Sequence, residues 1–194
     1  AGQDVFHFHV HVIPGFEGTL RELEKALPPD AIVSTDIGNV CSSANSYLRF
    51  ERAPSFLAAM SFGNCGYAYP VALGAKVAAP ERPAVAYVGD GAWGMSLAEV
   101  MTAVRDDIPA VAVVFANGQW GAEKRNQIDY YDHRFIGTNL RNPSFAAIAR
   151  AMGADGVTVR EASAVGDALR SALAGGRPAV IEIIVNQDLA EPFR

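Results

Sequence analysis

The sequence has only two cysteines, Cys41 and Cys65, too few for a disulfide scaffold. It has no long apolar run: the longest, residues 110–116, falls far short of the ~20 residues that span a bilayer. It also lacks a basic excess. Sixteen Lys and Arg stand against 21 Asp and Glu, a formal net charge of −5, which argues against a nucleic-acid platform. The sequence as written opens without a charged, then apolar, then small-residue leader. The expectation is a reduced, cytoplasmic protein that binds neither nucleic acid nor membrane. What is present is an ordinary globular composition, 50% hydrophobic and 19% charged in 194 residues, enough for one domain with a real core.

The first residues read differently from the rest. Residues 5–13 alternate strictly, with His7, His9 and His11 on one face of an expected strand that Pro14 and Gly15 break. This divides the chain into an appended or fused histidine-rich strand, 1–18, and a main domain, 19–194. In the main domain β and α patterns alternate. Leu20, Leu23, Glu24 and Leu27 predict a helix stopped by Pro28-Pro29. Residues 31–34, 84–88, 110–115, 157–159 and 179–185 predict strands; 44–50, 67–79, 144–152 and 165–173 predict helices. Leu97, Val100, Met101 and Val104 predict one amphipathic helix face. Near-continuous apolar strands between helices mean an α/β fold, a three-layer parallel sheet with helices on both faces.

Ligands of such sheets sit beyond the carboxyl ends of the strands. Three expected tips carry Asp36-Ile37-Gly38-Asn39, Gly89-Asp90-Gly91-Ala92 and Asn117-Gly118-Gln119. Asp90 and Asn117 lie 27 residues apart, about one strand-helix-strand unit. A carboxylate and an amide oxygen on adjacent tips are hard ligands that suit Mg²⁺ or Ca²⁺. Gly38, Gly89 and Gly91 let backbone N–H groups approach a phosphate. A helix expected to start near Gly94 turns its positive end to the same place.

Gly89-Asp90-Gly91, followed after 25 residues by Asn117, resembles the motif of the thiamine-diphosphate-dependent enzymes. Residues 61–70 and 73–78 are similar to the segment those enzymes place under the cofactor pyrimidine. The wording of residues 89–96 and 117–124, with residues 34–39 and 151–154, is similar to the sulfoacetaldehyde acetyltransferase branch. The resemblance covers residues 19–193 and only the carboxy-terminal, diphosphate-binding domain.

The resemblance implies two cofactors, thiamine diphosphate and Mg²⁺. It implies that Asp90 and Asn117 ligate Mg²⁺ by side chains and Gln119 by its carbonyl. It places Gly38, Asn39, Gly91 and Ala92 along the diphosphate with Gly89, and the Gly63 carbonyl on the pyrimidine amino group. Cys65 stands where relatives put a bulky apolar residue, often methionine, that bends the cofactor. Where the family often has paired asparagines this chain has Ala116-Asn117, which keeps the ligating second position. No catalytic side chain is assigned.

The implied reaction converts sulfoacetaldehyde and phosphate to acetyl phosphate and sulfite, through a cofactor ylid that adds to the aldehyde. Acetolactate synthase and a split sulfopyruvate decarboxylase are the rivals within the family. Both implied substrates are small anions, and Lys124, Arg125 and Arg134 are the candidate cationic patch; each is otherwise a solvated surface charge. The family also needs an amino-terminal domain whose glutamate activates the pyrimidine. Nothing before residue 19 supplies it, and Glu99 is a poor substitute. The expectation is a chain inactive alone, in a homo- or hetero-oligomer that provides the missing domain. Residues 7–14 also resemble the histidine-triad motif of nucleotide hydrolases, with His9 as the nucleophile. Alternate histidines can equally chelate Zn²⁺.

Overall fold

The computed structural model describes residues 16–185. Six strands run parallel in one sheet: β1 Ile32–Thr35, β2 Phe56–Ala58, β3 Ala84–Gly89, β4 Val111–Ala116, β5 Asp155–Val159 and β6 Ala179–Ile184. Their order is β2-β1-β3-β4-β6-β5. Eight helices are described: α1 Phe16–Ala26, α2 Asn39–Tyr47, α3 Ala68–Ala78, α4 Asp90–Ser96, α5 Glu99–Arg105, α6 Gly121–Tyr130, α7 Phe145–Ala151 and α8 Val165–Gly175. The three-layer α/β expectation holds.

The two-residue period of the strands sorts their side chains into two cores. Val85, Tyr87, Val111, Val113 and Phe115 join Leu20 and Leu23 of α1 and Leu169 of α8 on one face. Ala84, Ala86, Val88, Ala112 and Val114 join Tyr69, Leu73, Trp93, Val100 and Phe145 on the other. The second face is rich in alanine, and α3 meets it with Ala68 and Ala72, so helix and sheet pack closely. Each fully buried Val or Leu contributes about 1.5–3 kcal/mol. The middle strands β3 and β4 are buried along almost their whole length, which fixes the two tips that carry Asp90 and Asn117.

The structure corrects several sequence expectations. The helix expected over 44–50 is α2, which starts at Asn39 and ends at Tyr47. Gly38, at φ 125°, turns the chain sharply after β1 so that the helix begins at the tip itself. Strand β2, three residues long, had no pattern to reveal it. The helix expected near Gly94 starts at Asp90, and a second, α5, follows a break at Leu97-Ala98. Met101 does not join the apolar face and is 63% exposed. Helix α1 begins at Phe16, so it straddles the boundary drawn between residues 18 and 19. The alternating segment 5–13, with His7, His9 and His11, lies outside the described residues. Among the described residues, no helix is long and apolar enough to cross a membrane.

Candidate functional site

Because all six strands are parallel, the carboxyl ends of β1, β3 and β4 share one rim, and a cavity of about 150 Å³ opens there. Its wall contains Gly38, Asn39, Gly63, Cys65, Gly89, Asp90, Gly91, Ala92, Asn117 and Gln119, every residue the sequence singled out for the site. Three helices begin at this cavity: α2 after Gly38, α4 after Gly89 and α6 after Trp120. None of the three has a hydrogen bond from its N-cap residue's side chain, although in α4 the first-turn Gly91 N is taken by Asp90 Oδ1. The sequence reading had found only one of these helix starts. Phe115, Trp120 and Val185 add apolar surface to the polar rim.

Asp90 is 2% exposed. Its Oδ1 accepts a hydrogen bond from Gly91 N at 3.0 Å and its Oδ2 from Gly118 N at 2.6 Å. Burial pushes its carboxyl above the usual range, against the pull of the backbone N–H groups around it. A buried carboxylate of this kind gains from a cation. Asn117 is on the adjacent tip, with Oδ1 accepting from Gln119 N at 3.2 Å. The donor set of carboxylate, amide oxygen and backbone carbonyl is all hard oxygen, which fits Mg²⁺. At Gly38, in the cavity wall, a Cβ would meet no atom within 4 Å, so the backbone at the β1 tip opens onto space that suits a diphosphate. The residues present therefore fit both groups.

Cys65 Sγ donates to the Ile37 carbonyl at 3.7 Å. Burial raises its thiol pKa first, and the nearby carboxylates of Asp36 and Glu123 raise it further, so the sulfur stays a neutral thiol. Each residue of the expected cationic patch has an internal partner. Lys124 Nζ donates to Gln119 Oε1 at 2.8 Å and lies 5.4 Å from the centre of the Phe135 ring. Arg125 pairs with Asp129 at 2.5 Å, and Arg134 Nε donates to the Tyr131 carbonyl at 3.1 Å. Only Arg125 is neutralised by a carboxylate; Lys124 and Arg134 bond neutral oxygens. Glu99 is engaged by Thr102, whose hydroxyl donates to it at 2.9 Å.

Asp36, at the β1 tip, is a functional residue that the sequence pattern does not assign. It is 1% exposed, and its Oδ1 accepts from Tyr67 N at 2.7 Å and Ala68 N at 3.1 Å. One carboxylate thus joins the wall bearing Gly38 and Asn39 to the wall bearing Gly63 and Cys65. Its signal was a lone acid directly after a buried strand. Asn142, whose Nδ2 donates to Asp90 Oδ2 at 2.9 Å, gave no signal, since it lies 52 positions away.

Residues 36–183 match the family described as thiamine pyrophosphate enzyme, C-terminal TPP binding domain. A sulfoacetaldehyde acetyltransferase of Castellaniella defragrans is 62% identical over 179 residues, 90% of this chain and 30% of that protein. One from Alcaligenes xylosoxydans xylosoxydans is 59% identical over the same lengths. The chain thus spans 30% of the length of these relatives. In fold it is similar to the benzoylformate decarboxylase of Polynucleobacter necessarius, with a TM-score of 0.82 at 22% identity, over 100% of this chain and 36% of that one.

Proposed function

Because the chain belongs to the thiamine pyrophosphate enzymes, as their C-terminal TPP-binding domain, we propose that it is the diphosphate- and Mg²⁺-binding part of a sulfoacetaldehyde acetyltransferase. The reaction is sulfoacetaldehyde plus phosphate to acetyl phosphate plus sulfite. The observation that carries the cofactor half of this reading is the meeting of three helix starts with Asp90 and Asn117 in one cavity. The identity of 62% to an enzyme of that name supports the substrate half.

When bound, thiamine diphosphate supplies a carbon nucleophile that adds to carbonyl groups. The chain's own residues bind and orient it. Asp90, Asn117 and the Gln119 carbonyl hold Mg²⁺; Gly38, Asn39, Gly89, Gly91 and Ala92 line the diphosphate. The Gly63 carbonyl accepts from the pyrimidine amino group, and Cys65 shapes the wall beneath it. Phe115 and Trp120 exclude water from the cavity side. A second copy or a partner chain supplies the pyrimidine-activating carboxylate. The protein acts in the cytoplasm on small anions.

Calorimetric titration of thiamine diphosphate into the chain, with and without Mg²⁺, tests the cofactor half. Asp90→Asn should remove the Mg²⁺-dependent binding while circular dichroism stays native; unchanged affinity would sink the assignment. Supplemented with the remaining domains, the chain should release acetyl phosphate from sulfoacetaldehyde and phosphate. Acetolactate from pyruvate instead would assign it to the acetolactate synthases.

A further inference from the structure

Asp90 is held from outside its own strand. Its Oδ2 accepts from two donors, Gly118 N at 2.6 Å and Asn142 Nδ2 at 2.9 Å, while its Oδ1 accepts from Gly91 N at 3.0 Å. An ionised carboxylate only accepts, so the Asn142 amide must present its nitrogen. Each carboxylate oxygen has about two lone-pair sites. With both on Oδ2 engaged and one on Oδ1 taken by Gly91 N, the site left for a cation is the second one on Oδ1.

Asn142 ends a short segment, 138–142, that is tied along the loop bearing the other candidate ligands. The Thr138 carbonyl accepts from Trp120 N at 2.8 Å, and Leu140 N donates to the Gly118 carbonyl at 2.7 Å. Between them Gln119 and Asn139 form an antiparallel bridge. The backbone at Gln119, whose carbonyl is a candidate ligand, thus takes its shape from residues 138–140. The same segment delivers the amide to Asp90. Both parts of the metal site are set by one stretch of chain that contributes no ligand.

We propose that Asn142 is the positioning residue of the metal site: it keeps Asp90 Oδ2 occupied, turns Oδ1 to the cation, and links that orientation to closure of the loop 117–120. This rests on the reading that Asp90 ligates Mg²⁺. Hydrogen-bond partners of ligating groups are worth about 10–100-fold in metal affinity. Mg²⁺ demands near-ideal octahedral geometry, whereas Ca²⁺ accepts irregular shells. A loosened carboxylate therefore harms Mg²⁺ more than Ca²⁺.

The experiment titrates Mg²⁺, and in parallel Ca²⁺, into the full chain at saturating thiamine diphosphate, for the wild type, Asn142→Ala and Asn142→Ser. The expected result for Asn142→Ala is a loss of about 10–100-fold for Mg²⁺, a smaller loss for Ca²⁺, and an unchanged thermal midpoint without ligands. Asn142→Ser, which keeps a donor, should fall between. Wild-type Mg²⁺ affinity in Asn142→Ala would overturn the proposal. So would equal losses for both cations with a lowered ligand-free midpoint, which is the mark of a merely structural role. A wild-type chain that binds neither cation would overturn the metal-site reading itself, and this proposal with it.

Discussion

The indole of Trp120 lies directly over Gly91: a methyl group on that glycine would stand 2.8 Å from three ring atoms. The absent side chain of one tip residue is thus the seat of the ring that closes the neighbouring loop. Gly91→Ala should force the indole out, at a cost of about 1–3 kcal/mol from overpacking. Trp120→Ala removes the conflict. In a double-mutant cycle by urea unfolding, Gly91→Ala should cost clearly less in the Trp120→Ala background. Additive costs would mean that the ring and the glycine do not share this space in solution.

The two tryptophans separate cleanly as reporters. Trp93 is 0% exposed in the alanine-rich core, whereas Trp120 lines the cavity. In a Trp93→Phe variant the emission comes from Trp120 alone. Thiamine diphosphate with Mg²⁺ should change that emission, and Trp120→Phe in the parent should abolish most of the ligand-dependent signal. A signal residing in Trp93 would place the ligand elsewhere.

Glu182 holds a second polar cluster. This β6 carboxylate is 4% exposed and accepts from the Ser144 and Thr158 hydroxyls at 2.8 and 2.7 Å and from Phe145 N at 3.0 Å. Burial raises its carboxyl pKa, but these bonds together outweigh burial and hold it below the usual value. A carboxyl lowered on folding adds stability above its unfolded pKa and loses it as pH falls through the folded one. Glu182→Gln should cost about 1–3 kcal/mol at neutral pH. The gap to wild type should narrow as pH drops below the ordinary carboxyl value of 4.5. Denaturant melts from pH 7 downward measure this, and a gap that does not change with pH would contradict it.

Asp36 makes a prediction of the opposite electrostatic kind. Burial raises its carboxyl, and its role is carried by Oδ1 alone. Asn at this position keeps an accepting oxygen, so Asp36→Asn should retain near-native stability. Asp36→Ala leaves Tyr67 N and Ala68 N without this partner, a loss of the size of a helix cap, about 0.5–2 kcal/mol. Thermal unfolding of both variants decides the point. Equal destabilisation would show that charge, not acceptance, matters.

The apolar side chains left outside predict association. Phe62 is 89% exposed, Met60 64%, Val77 64%, Met95 62% and Met101 63%. Exposed apolar residues that gather into one patch mark a protein interface. Sedimentation of the chain should show self-association or capture of a partner, weakened by Phe62→Ser with Met101→Ser. A clean monomer at all concentrations, with or without candidate partners, would count against it.

The sequence was most legible where a buried strand ends. An apolar run broken by Gly-Asp-Gly or Asn-Gly-Gln marks a tip, and the family resemblance assigned roles to those residues; the cavity collects all of them. It was least legible where tertiary contact overrides propensity. Helix α2, of sequence NVCSSANSY, is poor in helix formers and is held by Val40 and Ala44 in the core. Strand β2 is three residues long and leaves no period. Asn142 acts on a group 52 positions away, which no local pattern encodes.

That same separation has a kinetic consequence. Asp90 finds one partner 28 positions ahead and another 52 ahead, each across a closed crossover. Closing long loops delays the contacts that depend on them. The middle strands can pair while the carboxylate at their rim is still wet. Of the two bonds, the one from Asn142 closes the longer loop, so the carboxylate is fully held only when residue 142 arrives.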